Sequence, residues 1–225
     1  MRLLVSFLVL YYIFMSNSFA LEIKILNRSD NPKYQNDLAI TIDMCPSTRE
    51  ANRSLFNYLE RLGKKLHQPL PVAISLSGNW ITNHKKELAE IRKMYLAITW
   101  VNHSYSHPVE NDFCNSQTVN FTREVGANLL LFQKYGLKIS QFFRFPGLRC
   151  NQERLRELNK LGFIALGADA WLAKGQKIKG GSIVLVHGNG NEPQGDWELI
   201  SYLEKHQPEI LTHRLQIVPV QVFLN

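Results

Sequence analysis

Acidic residues are in short supply in this chain, and cysteine is rarer still. Its 19 Asp and Glu face 26 Lys and Arg, leaving a net charge of +7. Three cysteines are present, none in C-x-x-C spacing. That removes the usual ligand pattern of a structural zinc site and a thioredoxin-like redox motif. Three thiols also allow at most one internal disulfide, and spacing does not choose among the pairings. No internal repeat, low-complexity tract or long linker interrupts the chain, which excludes a solenoid. No pair of opposed carboxylates of the kind a glycosidase needs can be nominated. The first apolar run, residues 3–15, falls short of the ~20 residues that cross a bilayer.

That run has another use. Arg2 gives it a positive start, and Ser18 and Ala20 supply the small-x-small pattern of a cleavage site. Residues 1–20 therefore read as a signal peptide, with a retained N-terminal anchor as the alternative. The signal peptide implies an exported protein, periplasmic or secreted, with no membrane span after cleavage. The remainder, 21–225, is long enough for one domain with a sizeable core. At 45% hydrophobic and 20% charged residues, it has the balance of an ordinary globule. The positive charge suggests attraction to anionic material. However, the basic residues are scattered, and Lys64-Lys65 and Lys85-Lys86 fall on amphipathic helices, so nucleic acid is not an expected partner.

Short apolar runs alternate with helical patterns. Residues 38–43 (LAITID) are rich in β-branched side chains and read as a buried strand. A possible capping box, Ser47 to Glu50, then precedes Ala51, Leu55, Leu59, Leu62 and Leu66 at helical spacing. Further strands are expected at 72–76, 96–101, 139–143, 163–166, 183–186 and 215–223. Helices are expected at 83–94, 122–135, 152–161 and 197–205. Seven strands separated by helices predict an α/β fold with parallel strands. A doubly wound open sheet and a barrel both fit, and both place chemistry beyond the carboxyl ends of the strands.

Those ends carry the candidates. The first strand closes on Asp43, which reads either as an acid facing a polar cleft or as a helix cap. The third closes on His103-Ser104-Tyr105-Ser106-His107. In a helical turn, two histidines four apart would share one metal ion; otherwise they are surface residues. The fourth ends in Arg144-Phe145-Pro146, where Arg144 suits a carboxylate partner. The fifth runs into Asp169-Ala170-Trp171, offering an aromatic wall. The sixth ends in His187 before a glycine-rich loop, where an imidazole can exchange a proton near neutral pH.

These strand ends, in this order, resemble the NodB-like polysaccharide deacetylases, carbohydrate esterase family four. The H-S-x-x-H and L-x-H elements around R-x-P carry the resemblance, which runs from about Leu38 to His187. It implies a distorted seven-stranded (β/α) barrel and metal-dependent hydrolysis of N- or O-linked acetyl groups on a polysaccharide. By position, His103 and His107 would hold a divalent metal, zinc by preference, and Asp43 would be the base. His187 would be the acid, Arg144 would fix Asp43, and Trp171, Pro146 and Asp169 would face the substrate.

Two positions depart from the family pattern. The metal-binding acid that follows the base is Met44 here, and a thioether is a poor zinc ligand. Three outcomes are open: Asp43 itself binds the metal, the Cys45 thiolate completes the site, or the domain binds glycan with little or no metal or hydrolysis. The acid that precedes the tryptophan is Ala170, and Asp169 is the candidate to replace it beside Arg144. On the barrel, Cys45, Cys114 and Cys150 would gather on the catalytic face, and a disulfide between two of those loops is expected.

Overall fold

All eight residues of the first strand, β1 (Asp37–Met44), are buried, as expected of a parallel strand covered on both faces. The computed structural model describes residues 23–108, 113 and 119–225. The expected signal peptide and Cys114 lie outside these residues. After β1 come α1 (Arg53–Lys65), β2 (Leu70–Leu76), α2 (Gly78–Asn83), α3 (Lys85–Ile91), β3 (Leu96–Asn102), α4 (Phe121–Lys134) and β4 (Ile139–Phe143). Next are α5 (Gln152–Lys160), β5 (Ile164–Ala165), β6 (Ala170–Trp171), β7 (Ser182–His187), α6 (Pro193–Lys205), α7 (Gln207–Leu211) and β8 (Gln216–Ile217). Among the described residues, no helix is long and apolar enough to cross a membrane.

The strands pair in the order β5-β4-β3-β2-β1-β7-β6, all parallel. β8 pairs with the start of β1 at Asp37 and Leu38, ahead of Thr41 where β2 takes over. The sheet curls into a partial barrel, matching the expected fold. Its two ends, β5 and β6–β7, are joined by an N-terminal segment: Leu26 bridges Leu166 and Arg28 bridges Ser182.

Strand alternation divides β1 between two cores. Leu38, Ile40, Ile42 and Met44 pack in the outer layer with Leu55, Leu59 and Leu62 of α1 and Leu199 and Leu203 of α6. Ala39 faces the inside of the curl with Ala73, Val101, Phe142 and Ile183. Thr41 and Asp43 share that inner face and are also buried. Gly63, which intrinsic propensity marks as a weak point in α1, is where β2 passes: a Cβ there would lie 2.9 Å from the Leu70 amide nitrogen.

Several expected boundaries are corrected. α1 is capped by Asn52, whose side chain accepts from the amides of Ser54 and Leu55, so the Ser47–Glu50 capping box does not form. The helix expected at 83–94 is α3 alone, ending at Ile91, and a further helix, α2, precedes it and meets it at His84. Its ring stacks on Trp80 with centroids 5.0 Å apart and is held between Glu87 and the Ser47 carbonyl. The last strand shrinks to two residues, because Pro219 lacks the amide to extend the ladder and residues 220–224 form a 3-10 turn. β6 was too short to show a period.

Candidate active site

Asp43 stands at the inner end of β1 and Arg144 follows β4, three strands away. The fully buried Arg144 guanidinium reaches across the inside of the curl. Its Nη1 donates to Asp43 Oδ1 at 2.7 Å and to Thr41 Oγ1 at 2.8 Å. Its Nη2 donates to the Gly167 carbonyl at 2.7 Å. Burial alone would raise the Asp43 carboxyl, but the neighbouring positive charge, chiefly Arg144, outweighs it and holds the group at about 2. The expected Arg144–Asp43 pair is therefore present.

The two histidines also converge, but not through a helical turn. Ser104 and His107 both adopt left-handed backbone, with φ of 62° and 54°, a conformation non-glycine residues hold only when their surroundings enforce it. The enforcing groups come from α4 and β3. Glu124 Oε2 accepts from the amides of Tyr105 and Ser106 at 2.9 and 2.7 Å, and its Oε1 accepts from the Ser106 hydroxyl at 2.7 Å. Asn102 Oδ1 accepts from the Ser104 amide and from Asn128.

The bend brings His107 Nε2 to 3.0 Å from His103 Nε2. His103 Nδ1 lies 2.8 Å from the Arg144 carbonyl; a carbonyl only accepts, so Nδ1 carries the proton and Nε2 presents a lone pair. Burial holds His103 below its usual value, against the pull of Asp43. Burial, then the neighbouring His103, lowers His107 to about 3. Both rings are neutral at neutral pH, the state in which histidine binds metals.

His187 ends β7 opposite Asp43, its register partner on β1. Its ring lies 5.6 Å from Trp171, centroid to centroid. A residue that sequence reading missed joins them: Glu192 Oε2 accepts from Trp171 Nε1 at 2.7 Å. The same oxygen sits 2.9 Å from His187 Nδ1, though off the line a hydrogen bond needs. Glu192 precedes α6 and ends no strand; its only sequence signal is being the one acid in the loop that follows His187.

Asp43, Cys45, His103, His107, Leu148, Trp171, His187 and Glu192 all border one open cavity of about 230 Å³. Two expected members do not. Asp169 turns to β7, accepting from the Ser182 hydroxyl and the Ile183 amide at 3.0 and 2.9 Å. It therefore neither pairs with Arg144 nor lines the cavity. Pro146 is buried beneath the rim, and Gly147 and Leu148 line the cavity in its place.

The sequence pattern of the polysaccharide deacetylases matches residues 30–166, more than half of the chain. The chain belongs to the polysaccharide deacetylase family. Solved structures of similar fold include a family 4 carbohydrate esterase from Bacillus anthracis, with a TM-score of 0.67 at 17% identity, over 88% of this chain and 86% of that one. Bacillus subtilis PdaA, another family 4 carbohydrate esterase, gives 0.65 at 15% identity, over 89% and 84%. A family 4 pseudoenzyme from Bacillus anthracis gives 0.63 at 13% identity, over 85% and 66%. At these identities the likeness is one of fold.

Deacetylases of this family use a divalent metal, and the donor chemistry here fits one. Two neutral imidazoles aim Nε2 at each other, one locked in the ligating tautomer by a backbone carbonyl. Met44 takes no part, since its side chain is fully buried in the outer apolar layer. Cys45 follows on the cavity side as a free, buried thiol, so no disulfide involves it.

Proposed function

We propose that this chain is an exported, metal-dependent hydrolase that removes N- or O-linked acetyl groups from a cell-envelope or extracellular polysaccharide. The observation that carries this reading is the pairing of Asp43 and His187 in register at neighbouring strand ends, with the histidine pair bordering the same cavity. In this reading Asp43 is the base, His187 the acid and the histidine pair the nitrogen ligands, around a cavity with room for an acetylated sugar residue.

In this reading His103 and His107 hold the divalent ion. When bound, the ion supplies Lewis-acid polarisation of the acetyl carbonyl. Asp43, kept ionised by Arg144, takes a proton from the attacking water as its oxygen bonds to the acetyl carbon. His187 gives a proton to the leaving amine nitrogen or alcohol oxygen as the bond to that carbon breaks. Trp171, anchored by Glu192, offers an apolar wall for the acetyl methyl. The polysaccharide is the partner, and the net charge of +7 suits an anionic envelope polymer.

A second reading rests on one observation, Met44 in place of the family's metal-binding acid: a lapsed domain that binds glycan without cleaving it. That a solved structure of similar fold is a family 4 pseudoenzyme supports weighing this reading. Acetate release from an acetylated glycan, abolished by a chelator, restored by zinc and lost in His103→Ala, supports the hydrolase. Glycan binding with no acetate release at any metal supplement supports the lapsed domain and refutes the hydrolase.

A further inference from the structure

The geometry points to Cys45 as the third protein ligand of the metal, taking over from the acid that position 44 lacks. The inference rests on the proposed metal hydrolase and concerns where that site finds its missing donor. Cys45 Sγ lies 3.6 Å from His103 Nε2, and His107 Nε2 lies 3.0 Å from the same atom. Donors sharing a tetrahedral zinc at ~2.05 Å (N) and ~2.3 Å (S) stand roughly 3.4 Å apart for two nitrogens and roughly 3.6 Å for nitrogen and sulfur. The three donor atoms all lie within 4.8 Å of one another.

Asp43 is the competing donor, and the arrangement disfavours it. Its Oδ1 is engaged by Arg144 at 2.7 Å. Its Oδ2 does stand 3.6 Å from His103 Nε2, but the carboxylate groups with Cys45 and His187, whereas Cys45 is the donor that groups with His103 and His107 together. Met44 is excluded because it faces the outer layer. Cys45 is instead held in place through its backbone. Ser77 donates from its hydroxyl and amide to the Met44 carbonyl at 3.0 and 3.2 Å. Asn189 Nδ2 donates to the Cys45 carbonyl at 2.8 Å. The sulfur therefore reaches the histidines without a loop having to move, and Asp43 stays available as base. A thiolate in the set selects zinc or cobalt over magnesium, calcium and manganese.

The test is cobalt titration of the full chain, stripped of metal. The wild type is expected to develop an intense near-ultraviolet thiolate-to-cobalt band, which zinc abolishes and magnesium does not. Cys45→Ser is expected to lose that band and at least about 100-fold in zinc affinity, more than the loss of an outer-shell partner costs, while Cys150→Ser keeps both. A band retained in Cys45→Ser, or unchanged zinc affinity, overturns the inference. If Cys45→Ser misfolds, methanethiosulfonate labelling of the wild type decides: zinc must protect Cys45, and equal labelling with and without zinc refutes it. Cys45-dependent metal binding without acetate release leaves this inference standing and removes the hydrolase. Metal-dependent acetate release with Cys45 dispensable for binding does the reverse.

Discussion

The strand ends that carry His103 and His187 solve opposite problems. After β3, two left-handed residues and a carboxylate spent on three loop donors fix a bend so that two imidazole nitrogens share one point. After β7, a single histidine sits against a partly exposed tryptophan and a glutamate that also meets Lys174 at 3.3 Å. The first arrangement is held by many hydrogen bonds, which suits ligands that must not move. The second is looser and keeps a carboxylate beside a titratable ring, which suits a group that must pass a proton. The difference separates holding from transferring, even though both ends show the reader only a histidine closing an apolar strand.

The comparison is sharpened most by removing the transferring group. His187→Ala is expected to lower kcat for deacetylation by about 10²- to 10⁴-fold, the usual worth of a general acid, with zinc affinity unchanged. A parallel loss of zinc would make His187 a ligand and break the distinction. Glu192→Gln is expected to cost about 10- to 100-fold in kcat with little change in KM, since its carboxylate lies beside the His187 ring at 2.9 Å without touching the reacting atoms. A KM effect alone would assign Glu192 to substrate binding.

On the holding side, Glu124→Ala is expected to weaken zinc binding by about 10- to 100-fold, as outer-shell losses do. It also leaves three loop donors unpaired, and isothermal titration together with thermal unfolding reads both effects. Unchanged zinc affinity would show that the bend does not depend on Glu124.

The smallest expected effect lies outside both ends. Burial, only partly offset by Asn52 at 2.7 Å, pushes the Asp196 carboxyl in α6 up to about 7 from 3.8. The folded protein thus binds more protons than the unfolded chain between those values, so this group lowers stability as pH rises through that window. Asp196→Asn is expected to raise the thermal midpoint by several degrees at pH 8 and by less at pH 5. An equal gain at both would show that ionisation of Asp196 costs the fold nothing.

Much of the site was legible because buried parallel strands are nearly all apolar, so a polar residue closing one stands out. Asp43, His103, Arg144 and His187 were visible for that reason. His107 was identified by spacing, but its placement was not. A helical turn was the simplest way to bring residues i and i+4 together, and only the Glu124 and Asn102 contacts reveal the left-handed bend. Glu124 and Glu192 escaped because neither ends a strand; one sits in a helix, the other before one, and tertiary folding alone brings them in. Asp169 misled because Trp171, two residues on, does line the cavity and alternation would put both on one face, yet the acid lies just before β6 and is drawn to the Ser182 hydroxyl and the Ile183 amide. The strand-helix alternation carried the fold. The two-residue strand β6 went unread because it lies below the length at which a hydrophobic period can be seen, while β5 and β8 fall inside longer apolar runs that were read as strands.

Zinc-edge anomalous diffraction from a crystal of the full chain grown with zinc tests the convergence most directly. The account predicts one strong peak inside the cavity, among Cys45 Sγ and the Nε2 atoms of His103 and His107, with Asp43 still paired to Arg144. A cavity without a peak at saturating zinc, or a peak that leaves the two histidines unbound, would contradict it.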